Sequence, residues 1–229
     1  MKSNLLILHG ALGSSVQLEQ IAKRLEDKFR VILYNFSGHG GKPLPEESYS
    51  IKLFAGELKS LIEKTRIGPC DVFGYSMGGY VALYAASHYP GLIGRIFTLG
   101  TKFDWNEESS AHEVKLLDAG KIEKKIPAFA KSLAERHAPE DWKKVLEKTA
   151  EMMLTLGKQN ELTPEDMEQI ENEVAVAVGD RDNMVSFSET EKAYRQLKNG
   201  RMIVMPDTVH AIEKVDLERL KIELQKFFR

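Results

Sequence analysis

Gly74-Tyr75-Ser76-Met77-Gly78 is the strongest fold signal in the chain. It is a Gly-x-Ser-x-Gly pentapeptide between two runs of different character. Upstream, Cys70-Asp71-Val72-Phe73 reads as a short strand; downstream, Tyr80-Val81-Ala82-Leu83-Tyr84-Ala85-Ala86 reads as buried helix. A serine at such a junction can be held on a strained turn with its hydroxyl exposed above a sheet. A side chain at Gly74 or Gly78 would crowd the backbone crossing from strand to helix.

Toward the N-terminus, Leu5-Leu6-Ile7-Leu8 is an apolar run ending in His9-Gly10, typical of a strand buried on both faces of a parallel sheet. A helical pattern covers about 14–28, with Val16, Leu18, Ile21, Ala22 and Leu25 on its apolar side. Strand 30–34, a Gly/Pro-rich loop over 37–43 and a helix over about 51–65 follow. Residues 96–99 form a fourth strand. From 101 to about 172 the alternation stops. This stretch is rich in Lys, Glu, Ala and Leu, and Pro127, Pro139 and Pro164 divide it into helices. Strand 174–178, helix 186–197, strand 201–205 and a last helix over about 212–228 complete the chain. Strands alternating with helices argue an α/β fold with a mainly parallel sheet. The expected organisation is a core of 1–100 and 173–229, with 101–172 inserted between the fourth and fifth strands as a helical cap over the strand ends, where open parallel sheets bind ligands.

The bulk numbers bound the partners. Of 229 residues, 42% are hydrophobic and 29% charged, and the net charge is −2, so no polyanion such as nucleic acid is implied. The single cysteine, Cys70, excludes an intrachain disulfide and reads as a small apolar residue leading into a strand. No apolar run approaches the roughly 20 residues that span a bilayer, and no basic segment leads into a long apolar one at the N-terminus. The expectation is a cytoplasmic monomer or homodimer acting on a small acyl compound, away from membranes.

Leu8-His9-Gly10, Gly38-His39-Gly40, the Ser76 pentapeptide with Gly79, Gly179-Asp180-Arg181-Asp182 and Val209-His210 each follow a strand in turn. In this series the chain resembles the α/β-hydrolase family over nearly its whole length. The order Ser, Asp, His is that family's order. The resemblance implies a three-layer fold with a trimmed six-stranded sheet in the order 2-1-3-4-5-6. The two strands that commonly precede the His-Gly strand, one of them antiparallel, have no counterpart here.

The chemistry needs three groups. A serine hydroxyl is a poor nucleophile near neutrality and requires an adjacent base. His210 is the candidate, at the same sheet edge as Ser76. His88 falls late in a helix, while His112 and His137 fall in the charged insertion and read as solvated. By resemblance His9 and His39 shape the site. The base needs a carboxylate to fix its tautomer. The family's Gly-x-x-Asp pattern matches Gly179 and Asp182, with Asp180 and then Asp104 as alternatives. By resemblance the oxyanion hole comes from the backbone amides of Ala11 and Met77. Leu12, Phe103, Trp105, Phe129, Met152, Met153 and Met184 are candidate pocket residues, suited to a small or medium acyl group.

The expected activity is therefore a carboxylesterase-like serine hydrolase, with no metal and no organic cofactor. The elbow also resembles that of the menaquinone-pathway synthase that forms succinyl-hydroxycyclohexadiene carboxylate. That branch usually carries an arginine after the elbow, where this chain has Tyr80. A C–C bond hydrolase and a small-molecule receptor that retains the triad are further alternatives. Dehalogenase and epoxide-hydrolase relatives carry aspartate where this chain has Ser76.

Overall fold

The computed structural model describes residues 2–229. In chain order the core elements are β1 (Ser3–Leu8), α1 (Glu19–Leu25), β2 (Phe29–Tyr34), α2 (Ile51–Thr65), β3 (Cys70–Tyr75), α3 (Met77–His88) and β4 (Ile93–Leu99). Between β4 and β5 come α4 (Glu107–Val114), α5 (Ala119–Lys125), α6 (Pro127–His137), α7 (Trp142–Lys158) and α8 (Pro164–Gln169). β5 (Val174–Gly179), α9 (Phe187–Gln196), β6 (Gly200–Met205) and α10 (Leu217–Phe227) follow.

The six strands form one sheet in the order β2-β1-β3-β4-β5-β6, parallel at every pairing. Side chains alternate between its faces, so each strand feeds two cores. Leu5, Ile7, Phe73, Phe97 and Ala175 pack with α1 and α10 on one side. Leu6, Leu8, Val72, Ile96 and Val176 pack with α2, α3 and α9 on the other. These are the three layers. Leu133, Val145, Leu146, Met152 and Leu156 of α6 and α7 join the second cluster, so the inserted helices share the core of the α2–α3 side.

Register places the site. Leu8 is level with Tyr34 and Gly74, and Leu99 with Tyr75 and Ala177. The loops after β1, β3, β4, β5 and β6 therefore open at one edge. Two helices differ from their sequence pattern. The 14–28 pattern divides into a 3₁₀ turn, Ser15–Leu18, and α1; at the turn the Ser14 amide donates to Gln17 Oε1 at 3.0 Å and the Gln17 amide to the Ser14 carbonyl at 3.2 Å. The last pattern divides into a 3₁₀ turn, Ile212–Lys214, and α10. There the Asp216 carboxylate accepts from the Glu218 and Arg219 amides and starts a new helix. Pro127 and Pro164 occupy first-turn positions of α6 and α8, where their missing N–H costs nothing. Cys70 is the buried first residue of β3. Among the described residues no helix is long and apolar enough to cross a membrane.

The β3–α3 crossing tolerates almost no added volume. A Cβ on Gly78 would lie 2.6 Å from the Leu8 carbonyl oxygen and 2.8 Å from that of His9. Gly56, in the middle of α2, has open space where a Cβ would go. Gly78→Ala is therefore expected to cost about 1–3 kcal/mol by overpacking. Gly56→Ala should stabilise by about 0.5–1 kcal/mol through helix propensity. Urea midpoints compare the two, and equal shifts would contradict the packing.

Candidate active site

Ser76 joins β3 to α3 at φ 50° and ψ −118°, a backbone conformation that non-glycine residues rarely adopt. Surrounding bonds hold it there. The Ser76 amide donates to the Leu99 carbonyl at 2.9 Å. The Thr101 hydroxyl and the Gly79 amide donate to the Ser76 carbonyl, each at 3.0 Å. The turn is thus tied to the end of β4 and to its own helix.

His210 follows β6 in the loop beyond Asp207, which itself has positive φ. Its Nδ1 donates to Asp182 Oδ2 at 2.8 Å. The other Asp182 oxygen accepts from the amides of Met184 and Val185, each at 2.9 Å. Burial alone would raise the Asp182 carboxyl. The bonds from His210 and the two amides outweigh it and hold the group below its ordinary value. Asp182 is thus anionic, and His210 carries its proton on Nδ1, leaving Nε2 as the basic nitrogen. The two alternative carboxylates lie elsewhere. Asp180 accepts from the Thr208 amide at 3.2 Å, and exposed Asp104 pairs with Asn106.

Ser76 and His210 open onto one cavity of about 40 Å³, which Ala11 and Met77 also line. Among the described residues, neither the Ala11 nor the Met77 amide donates to another group of the chain. Met77 is the first residue of α3, whose dipole favours negative charge at that end. Four expected wall residues, Trp105, Met152, Met153 and Met184, line the cavity.

Three expected wall residues do not. Leu12 turns into the core at φ 57°, Phe103 lines a neighbouring pocket beside Asn160, and Phe129 is 38% exposed on α6. Ile51, Tyr80, Lys102, Leu156 and Val185 take their place. Tyr80 stands where the synthase branch carries an arginine; the other four read as ordinary helix or loop positions, so no signal singled them out. Tyr75, inside the pentapeptide, donates its hydroxyl to the His210 carbonyl at 2.7 Å and fixes that loop.

His137 corrects the sequence reading. It is fully buried rather than solvated, because the C-terminal end of α6 runs into the core loops. Its Nδ1 accepts from the Gly40 amide at 3.3 Å, and its Nε2 donates to the Leu12 carbonyl at 3.1 Å. Arg136 donates to the same carbonyl at 2.9 Å. The turn carrying Ala11 is thereby held by two side chains of the insertion.

A family model described as alpha/beta hydrolase fold matches residues 4–139. The 2-(acetamidomethylene)succinate hydrolase of Mesorhizobium japonicum is 24% identical over 233 residues, covering 93% of this chain and 84% of that protein. Among solved structures, a thermophilic esterase from Thermogutta terrifontis superposes with a TM-score of 0.79 at 18% identity, covering 100% of this chain and 90% of the other. MenH from S. aureus gives a TM-score of 0.79 at 19% identity, covering 99% and 93%.

Beside the site lie three buried imidazoles. His39 is 5.0 Å from His9 and 5.6 Å from His137, centroid to centroid. His9 donates from Nδ1 to the Gly10 carbonyl and accepts at Nε2 from the Phe36 amide. Protonation of His9 or His137 would thus put a proton where an amide already donates. Burial pushes His9 and His137 down from 6.5 to about 4, and burial followed by the neighbouring imidazole His9 depresses His39 as well. Between these values an unfolded chain takes up protons that the folded one refuses. The stabilisation from neutral imidazoles is therefore complete above about pH 6.5 and is lost as pH falls toward 4. Going from pH 7 to 5 should cost about 2 kcal/mol for each of His9 and His137. His137→Gln should remove about half of that combined loss, read from urea unfolding at both pH values; an unaltered loss would refute the assignment.

Proposed function

The chain belongs to the α/β-hydrolase family, and we propose that within it the protein is a serine hydrolase of carboxylic esters with small or medium acyl groups. One observation carries this reading: His210, hydrogen-bonded to Asp182, opens on the same cavity as a serine in strained backbone. The Mesorhizobium japonicum relative, a hydrolase, supports turnover over a binding-only role.

The steps use groups of the chain and water. Ser76 Oγ attacks the acyl carbonyl carbon while His210 Nε2 takes its proton. Asp182 stabilises the imidazolium through Nδ1–H. The tetrahedral oxyanion accepts from the amides of Ala11 and Met77, one such donor being typically worth roughly 3 kcal/mol at the transition state. His210 returns the proton to the departing alkoxide, leaving an acyl-enzyme. It then deprotonates water, which attacks the acyl carbon and frees the acid and Ser76. The strained Ser76 backbone keeps the hydroxyl at the sheet edge without reorganisation.

The synthase-like lyase reading loses support at Tyr80. Its hydroxyl donates to Asn160 and accepts from the Leu162 amide at 3.0 Å, so it ties α3 to the α7–α8 connection. No cation stands at that position. By this reading residues 101–172 act as a cap over the strand ends, supplying Trp105, Met152, Met153 and Leu156 to the cavity.

A fluorophosphonate probe should label the protein at Ser76, and Ser76→Ala should abolish labelling. Label retained in that variant would remove Ser76 from the role. Short p-nitrophenyl esters should turn over, with kcat/KM falling roughly 10⁴-fold or more in His210→Ala. Stoichiometric acylation without turnover would favour the receptor alternative, and rapid release of pyruvate from the menaquinone precursor the lyase.

A further inference from the structure

Lys102 is the only lysine or arginine among the residues lining the Ser76 cavity. It lies just beyond β4, next to Thr101, whose hydroxyl is bonded to the Ser76 carbonyl. Its backbone is therefore fixed relative to the nucleophile. The side chain is only 14% exposed, and its ammonium approaches the face of Trp105 at 5.8 Å. Lys102, Met184 and Val185 also line an adjoining surface cleft of about 530 Å³. Lys102 thus stands where that cleft meets the cavity.

A structural role as counterion to Glu189 does not use up this group. Glu189 already accepts from the Phe103 and Asp104 amides on one oxygen, and from the Ser186 amide and hydroxyl on the other. Its nearest approach to Lys102 is 3.9 Å, beyond hydrogen-bond range. Lys102 makes one bond, to the Met184 carbonyl at 3.3 Å, and an ammonium has three protons to give. A half-dry cation with unspent donors beside apolar walls selects an anion, because charge-assisted bonds strengthen where water is excluded.

We propose that Lys102 binds a carboxylate of the substrate, so that the site prefers acyl compounds carrying one negative charge over neutral ones of equal length. This deepens the serine-hydrolase reading above and rests on it. The charge could sit on the acyl or the alcohol side of the scissile bond, and two matched pairs separate these. One compares the p-nitrophenyl monoester of adipic acid with p-nitrophenyl hexanoate. The other compares 4-(carboxymethyl)phenyl hexanoate with 4-ethylphenyl hexanoate. In at least one pair the wild-type chain should favour the charged ester about tenfold or more in kcat/KM, and Lys102→Met and Lys102→Gln should bring that ratio near one. Ratios near one in both pairs for the wild type would overturn the proposal, as would a preference that both variants keep.

A binding measurement separates this from the failure of the parent reading. Calorimetry on Ser76→Ala compares monomethyl adipate and methyl hexanoate for the acyl side, and 4-hydroxyphenylacetate and 4-ethylphenol for the alcohol side. If the wild-type chain cleaves no ester and takes no fluorophosphonate, the hydrolase reading fails. The carboxylate subsite then stands only if a charged member binds about tenfold tighter, and falls if both pairs bind alike.

Discussion

The tight crossing of β3 into α3 sets the geometry of the whole sheet edge. Gly74 and Gly78 let α3 pass against β1 with no side chain between, so the first turn of the helix sits directly over the strand ends. That closeness forces Ser76 into a backbone conformation that would relax if the neighbours withdrew. They do not, because β4 holds the Ser76 amide and Thr101 its carbonyl. The strain at one residue is balanced by burial of two whole helical layers. A local cost of order 1–3 kcal/mol is small against such a core.

Around that fixed point, charge is distributed by burial. Asp182 remains ionised because three donors converge on it, and so it can orient His210. Burial keeps the three histidines behind the Ala11 turn neutral, and in His9 and His137 both ring nitrogens are already bonded, leaving no place for another proton. On the proposed mechanism His210 gains and loses a proton, whereas His9 and His137 act as fixed donor–acceptor pairs.

Much of this was legible in the residues. The apolar runs and glycine-marked strand ends located all six strands, but a strand that is apolar on both faces carries no mark of its register. Asp182 was separable from Asp180 by the family's Gly-x-x-Asp pattern, and the structure brings Asp182, not Asp180, to His210. The insertion was less legible. Its helices carry mixed charges whatever they cover, so His137 looked like a surface residue among lysines and glutamates. Only tertiary packing turns it toward Leu12 and Gly40. Pocket walls suffered the same way. An aromatic such as Phe129 is apolar in any setting, while Lys102, which does line the cavity, carries no sequence mark of a wall residue. Helix boundaries near Leu18 and Asp216 depended on capping bonds that periodicity does not record.

The grip of Arg136 and His137 on the Leu12 carbonyl has a consequence for how the site admits a ligand. Five of the residues lining the cavity, Lys102, Trp105, Met152, Met153 and Leu156, belong to the same inserted stretch that holds the Ala11 turn. Any swing of α6 that breaks these bonds also frees the peptide next to one candidate oxyanion donor. On the proposed mechanism, a movement of the insertion that widened the cavity would therefore also be felt at that donor, through the peptide these two side chains hold.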